Sequence, residues 1–452
     1  MMLSRQRYWA FAAGLSSLLL TTMAQGQAWL ADRSRSEGPG FRVGNLELHP
    51  GVGLEVGYDS NVFRADASSG SAKPGPQGSF MLRVSPHLYV STLRGSRLRD
   101  GDGAADESKP TVAFQGGVSL SYYQFFLSNA RSNLQGDLDM KLTILPDRPF
   151  SLEITESFTR TVRPFTEQVG DRALNFARNT NQVGIDGVFS TRGQVLSGRV
   201  GYNFGYSFFD GGDFQFANTM SHTGNASAAW RFLPQTALVW DLNVNYREFP
   251  NRDESASTLV SDGTTLKTRV GVNGAITNTL SASALVGYAA GMYSQGADAQ
   301  DFIAQGEVRW QFLPNGRVNL GYDRSLFASY IGNYYRQDRV YTNAQMMFLG
   351  RLMMGAELSL GLVSYGTPVL RSDPTQPLGS NRDGTVDRDD IRFVGSLFAE
   401  YRFIDWLGVN ATFQYTGDFT DYRFIIADAT TISFDPANYQ KFEGWLGVRA
   451  FF

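Results

Sequence analysis

Three histidines, two closely spaced aspartates and one acidic loop are the residues of this chain whose types and spacing could support chemistry. His49, His87 and His222 lie far apart, and none has a serine and carboxylate at a spacing that assembles a nucleophilic triad. Asp137 and Asp139 stand two positions apart, so on a strand both carboxylates share a face about 7 Å apart. That separation suits glycoside chemistry, but a hydrated wall accounts for it more simply. The segment Asn381-Arg382-Asp383-Gly384-Thr385-Val386-Asp387-Arg388-Asp389-Asp390 resembles a calcium loop in composition. It lacks the full ligand spacing, so ordinary turn chemistry is the better account. Cysteine is absent, which excludes disulfides, thiol catalysis and Cys-based zinc sites. A formal net charge of -3 gives no electrostatic footprint for nucleic acid. The expectation is no catalytic, cofactor-binding or metal-binding residue, no cofactor and no enzymatic activity.

The elements that would carry such residues have a period of two. From Leu134 to Ile144 the even positions are Leu134, Gly136, Leu138, Met140, Leu142 and Ile144, while Gln135, Asp137, Asp139, Lys141 and Thr143 occupy the odd ones. A helix would scatter these charges around its circumference, whereas a strand puts them on one face. The same alternation recurs in about eighteen segments of roughly ten residues, separated by turn residues. Their centres fall near residues 54, 85, 117, 139, 155, 184, 202, 225, 242, 270, 285, 307, 320, 343, 358, 397, 411 and 446. Arg5 and Arg7 followed by the apolar run Tyr8 to Thr21 read as a secretory signal, which assigns residues 1–28 to a signal peptide. Residues 29–45 then form an N-terminal periplasmic lead-in, and 46–452 the folded body.

Connection lengths alternate as well. Leu145 to Arg148, Thr191 to Gly193, Leu233 to Thr236, Thr277 to Thr279, Leu313 to Gly316, Leu349 to Arg351 and Ile404-Asp405 are short, while 59–78, 163–177, 248–263, 364–389 and 416–437 are long. Short periplasmic turns and longer outer loops are the habit of outer-membrane barrels; the long segment 93–110 departs from it. Near copies Trp230-Arg231-Phe232-Leu233-Pro234 and Trp310-Gln311-Phe312-Leu313-Pro314 put aromatic rings and a strand-stopping proline at the inner edge. The expected fold is all-β: a transmembrane antiparallel up-and-down β-barrel in the cell outer membrane, in contact with its lipid. The opposite face then lines a lumen, with Arg83, Asp137, Asp139, Lys141, Glu153, Arg199, Arg247, Arg269, Glu307, Arg309, Glu357 and Arg402 as channel-lining positions. Counted over the whole of that face, about ten basic and about ten acidic positions balance, which argues against a strongly ion-selective ring.

Two motifs carry a resemblance. Phe442, Gly444, Leu446, Val448, Ala450 and Phe452 alternate to the carboxyl end. That pattern resembles the terminal recognition strand of outer-membrane barrels, which implies the barrel assembly machinery as a partner through Phe452. Tyr58-Asp59-Ser60-Asn61-Val62-Phe63, together with the Phe-Leu-Pro turns, resembles the opening strand of a family of β-barrel porins associated with exopolysaccharide biosynthesis and export. The resemblance implies an eighteen-stranded conduit for the last step of polysaccharide export, a periplasmic polysaccharide export protein as partner, and no catalytic residues. A general diffusion porin or nutrient channel for small solutes is the alternative.

Overall fold

In a bilayer every backbone amide must be paired within the protein, and a sheet achieves that only by closing on itself. The computed structural model describes residues 38–66, 75–92, 111–127, 133–146, 148–161, 177–210, 212–251, 261–330, 332–369, 376–427 and 432–452. Residues 1–37, on which the expected signal peptide and most of the expected lead-in fall, and the segment 93–110 lie outside these. Eighteen antiparallel strands form the barrel. They are β2 (Leu46–Asp59), β3 (Ser79–Thr92), β4 (Val112–Phe125), β5 (Asn133–Ile144), β6 (Phe150–Thr161), β7 (Ala177–Ser190), β8 (Leu196–Asp210), β9 (Thr219–Leu233) and β10 (Thr236–Glu248). β11 (Gly263–Ala275), β12 (Leu280–Tyr293), β13 (Ala299–Leu313), β14 (Gly316–Ala328), β15 (Tyr334–Phe348), β16 (Leu352–Tyr365), β18 (Asp389–Ile404), β19 (Leu407–Phe419) and β22 (Tyr439–Phe451) complete the ring. Each centre expected from the alternation falls inside its own strand.

Four short strands were not legible from alternation. β1 (Phe41–Val43) pairs with the start of β2, so part of the lead-in is sheet. β17 (Gly379–Ser380), β20 (Arg423–Ala427) and β21 (Ile432–Pro436) form a separate sheet in two outer loops. His49 lies within β2 and is buried.

Neighbouring strands pair in sequence order, and the ring closes where β22 meets β2 over nine residue pairs, from Gly51↔Phe451 to Asp59↔Glu443. The outward faces carry Val52, Leu54 and Val56 on β2, Val200 and Tyr202 on β8, and Leu358, Leu360 and Leu362 on β16, all exposed. Among the described residues, exposed large apolar side chains outnumber buried apolar ones more than two to one. A water-soluble monomer rarely exposes contiguous apolar patches above a few hundred Å², so this belt faces lipid. Rings collect at both rims: Trp230 packs on Phe232 and Trp310 on Phe312 at the short-turn end, Tyr58 on Phe80 and Tyr202 beside His222 near the other. Amphipathic rings suit the headgroup level.

The Phe-Leu-Pro repeats prove to be a turn device. Pro234-Gln235 and Pro314-Asn315 are two-residue connections, as is Asp405-Trp406, and the ladder slips by a bulge beside each of the three. A bulge sharpens the local twist next to a tight turn.

Candidate functional site: the lumen wall and its outer mouth

Strand parity sends all twelve sequence-assigned lining residues inward, opposite the exposed apolar set. Some of them meet. Lys141 on β5 and Arg199 on β8 both bind Glu153 on β6, at 2.7 and 2.5 Å, and Arg199 also reaches Asp186 at 3.3 Å. Glu307 pairs with Arg309 along β13 at 3.2 Å and accepts the Tyr341 hydroxyl at 2.8 Å. Arg269 binds Asp241 at 3.1 Å and Gln305 at 2.9 Å. Asp137 and Asp139 lie opposite Thr159 and Ser157 of β6. Glu357 on β16 lies opposite Asn343 and Ser396, away from the other assigned residues.

Arg83 belongs to a cluster that sequence reasoning did not assemble. It sits at the closure, 2.5 Å from Glu55, with its guanidinium 4.4 Å above the Trp445 ring and 5.7 Å from that of Tyr123. Asn410 Nδ2 donates to the same glutamate at 2.8 Å. Gly57 makes this arrangement possible, because a Cβ there would meet the Trp445 indole. Lys441 bridges Asp59 at 2.6 Å and Glu443 at 3.2 Å. Toward the inner rim, Arg402 and Arg449 share Glu400, at 3.1 and 3.3 Å, and flank the fully buried Phe451 ring at 5.1 and 5.0 Å. Phe452 points outward as expected: its N–H donates to Pro50 O at 2.9 Å and its ring stacks on Trp406.

The Tyr58 to Phe63 motif is also part of this closure. Asp59 accepts the Asn61 N–H at 2.9 Å, and the buried Asn61 Nδ2 donates to Ala65 O at 2.8 Å and Gln440 O at 3.0 Å. These bonds turn the chain at the top of β2 and tie it to β22.

Two devices occupy the outer mouth. One is the β14–β15 hairpin. Its own ladder runs to Ala328↔Tyr334, and that of β12–β13 to Gly291↔Ala299, but β13–β14 pairing stops at Ala304↔Arg324. Above that point the hairpin leaves the wall and leans across the lumen. Leu326 shares strand parity with the lipid-facing Leu320 and Tyr322, yet it is buried against Ala289, Ala299 and Ile303 on the inward register of β12 and β13. Arg324 clasps the base of the lean: Nε donates to Phe302 O at 3.1 Å, Nη2 to Asp301 at 2.9 Å and Nη1 to Asp338 at 3.1 Å.

At the hairpin tip Ser261 N–H and Oγ donate to Asn333 Oδ1 at 3.2 and 3.0 Å, and Asn333 Nδ2 donates to Gln295 O at 2.7 Å. Tyr330 meets Phe209 of β8 edge-on at 6.3 Å. Six strand spacings separate β8 from β14, an arc of about 29 Å, so an inward-leaning tip is what joins them. Gly332, with φ of 69°, touches the Gly366 backbone so closely that a side chain on either would collide. The sequence signal for the lean was a charge, Arg324, on the lipid-facing register.

The second device is the β17–β20–β21 sheet, packed around Leu378, Tyr422, Phe424 and Ala437. Arg388 anchors it, with Nη2 donating to Asp390 at 2.7 Å and the guanidinium 4.5 Å above the Tyr365 ring and 5.5 Å from that of Phe424. Burial works against the Arg388 charge, but Asp390 and Tyr365 outweigh it and hold the proton more tightly than usual. Burial pushes the Tyr422 hydroxyl well above the ordinary tyrosine range. The calcium-like loop beside it is turn chemistry: Asp383 Oδ1 accepts the Thr385 N–H at 3.0 Å and its hydroxyl at 2.7 Å.

A closed eighteen-stranded ring, a lipid-facing apolar belt, two aromatic rims and a charged lumen define an outer-membrane β-barrel of porin-like build. No protein-family model matches this chain, and no curated protein sequence matches it. Among solved structures it is similar to OccAB4 of Acinetobacter baumannii, at 11% identity over 90% of this chain and 98% of that one, with a TM-score of 0.42. It is also similar to the outer membrane protein opdK of Pseudomonas aeruginosa, at 10% identity over 90% and 99% of the two chains, TM-score 0.44. The FrpB iron transporter of Neisseria meningitidis, in its F5-1 variant, is similar at 9% identity over 91% and 82%, TM-score 0.44.

Proposed function

We propose that this barrel is a passive channel for small polar solutes, and that it performs no chemical step on them. The observation that carries this reading is the β14–β15 hairpin, which leans from one wall and is bonded to the β10–β11 and β12–β13 loops. A mouth crossed in this way suits small solutes better than a continuous polymer. The reading as a terminal conduit for exopolysaccharide rests on the Tyr58 to Phe63 resemblance. In this chain Asp59 and Asn61 spend that motif on turning β2 and fastening it to β22, a role that carries no information about cargo. Delivery to the membrane is proposed to run through β22 and the barrel assembly machinery.

The test reconstitutes the purified barrel in liposomes and follows swelling in small sugars, alongside surface-polysaccharide staining of a strain lacking the gene. Swelling that falls off steeply with solute size, with normal staining, is the expected result. Loss of surface polymer in the deletion strain, restored by the gene, would replace this reading with export; absence of swelling would remove the channel.

A further inference from the structure

One interval of the barrel wall is held by side chains and not by a ladder. Between β13 and β14 the pairing ends at Ala304↔Arg324, although both strands run on toward the outer rim, β13 from Ala299 and β14 to Ala328. Continued in register, Phe302 would face Leu326 and Gln300 would face Ala328. Instead Phe302 O accepts Arg324 Nε at 3.1 Å, and Leu326 packs behind β12 and β13 on the lumen side. The charge at the foot of this seam is neutralised, because Arg324 also binds Asp301 at 2.9 Å and Asp338 at 3.1 Å.

Alternation fails on both strands at this level. Phe302 and Ile303 are adjacent apolar residues, the first exposed on the lipid register and the second buried on the lumen register. Leu326 and Phe327 repeat the arrangement on β14. Behind the seam the lumen wall is therefore apolar on both sides of β14. Leu326 meets Ala289, Ala299 and Ile303 on one side; on the other, Phe327 stacks on Tyr335 of β15 at 5.1 Å and joins Val363 and Tyr365 of β16. Outside, the lipid-facing belt continues past the last rung. Phe302 and its cross-strand partner Tyr288 are exposed on one flank, and Leu362, opposite Asp338, on the other. Apolar surface thus runs from the membrane face, through the seam, into the mouth.

We infer that the β13–β14 seam is a lateral port through which small apolar molecules pass between the outer leaflet and the lumen mouth, with Leu326 as its stopper and Arg324 as its clasp. Backbone pairing is what seals a barrel against lipid. Swinging Leu326 aside at this seam breaks side-chain contacts and no ladder bond, so the wall can part here without unzipping a strand. An apolar molecule on this route also stays clear of the charged wall, where it would strip water from polar groups without replacing their hydrogen bonds. The inference goes beyond the channel reading: polar solutes cross along the barrel axis, and apolar ones enter or leave sideways.

The test irradiates the full chain in liposomes with trifluoromethyl phenyl diazirine, a small apolar photoreagent that partitions into the bilayer. Glutathione in the water phase quenches reagent arriving through the lumen, and labelled residues are located by peptide mass spectrometry. Expected are labels on the outward Phe302 and Tyr288, as on any lipid-facing strand, and also on the inward Ile303 and Phe327. Phe398, a buried inward residue of the closure wall, should stay unlabelled. Leu326→Ala leaves a cavity at the seam and should raise the inward labelling about threefold. Leu320→Ala, on the lipid-facing register below the seam, should leave it unchanged. Heat-modifiable gel migration checks that both variants fold. Labels confined to the outward register of the native chain would overturn the port. Equal labelling of Phe398 and Ile303 would do the same, because it means entry from the lumen. An unchanged inward signal in folded L326A would remove Leu326 as the stopper and overturn the mechanism with it.

Discussion

The wall at the closure and the wall opposite carry the same residue types in different physical states. At the closure, Arg83 and Glu55 are 4% and 7% exposed, and a tryptophan ring, a tyrosine ring and an asparagine complete their contacts. Across the barrel, Arg309 is 46% exposed beside Glu307. Charge is structural at the closure, where it fastens a ladder of only nine pairs. On the other wall the Arg309 charge is left accessible. The difference teaches that a lumen ion pair is a fastening where its contacts are complete and buried, and an open wall position where its cation stays exposed.

Breaking the buried side of this comparison has the largest effect. Arg83→Met leaves Glu55 buried without its cation, a loss of about 3–5 kcal/mol for a desolvated pair; urea-unfolding midpoints of the reconstituted barrel should drop accordingly, and an unchanged midpoint would show that the closure does not depend on this pair. Gly57→Val forces the Trp445 indole off its seat, with an overpacking cost of about 1–3 kcal/mol. Its signature is a shifted tryptophan emission together with a lower heat-modification temperature on gels. On the accessible wall, Arg309→Gln should change stability by no more than about 1 kcal/mol, as for exposed ion pairs generally. A destabilisation as large as that of Arg83→Met would erase the distinction between the walls.

The smallest effect concerns the outer loop. The Thr385 amide and hydroxyl hold Asp383 below the ordinary aspartate range. Its turn therefore gains stability from the ionised form above the unfolded-state value, and loses it as pH falls through the depressed folded value. Hydrogen exchange at the Thr385 amide should stay slow near neutral pH and show reduced protection only in strong acid, once the intrinsic pH dependence of exchange is removed.

Much of the fold was legible because a strand in lipid obeys one simple rule. Period-two alternation needs only local geometry and a two-sided environment, so Leu134 to Ile144 declares both its strand and its faces without reference to any neighbour. The same rule placed Arg199 and Glu307 on the lumen side. Turn residues such as Pro234 and Pro314 act within a few positions and were equally readable. The hairpin lean was not, because Leu326 is apolar on an apolar register; whether lipid or Ile303 covers it is invisible in the chain itself.

The sequence by itself determined that this is an alternating chain of about eighteen strands with a charged inner face. Only the tertiary structure decided which charges are neutralised. Glu55 meets Arg83 and Asn410 from distant parts of the chain through register and ring closure. Ion pairing depends on distances of a few ångströms between strands, and no local pattern encodes them.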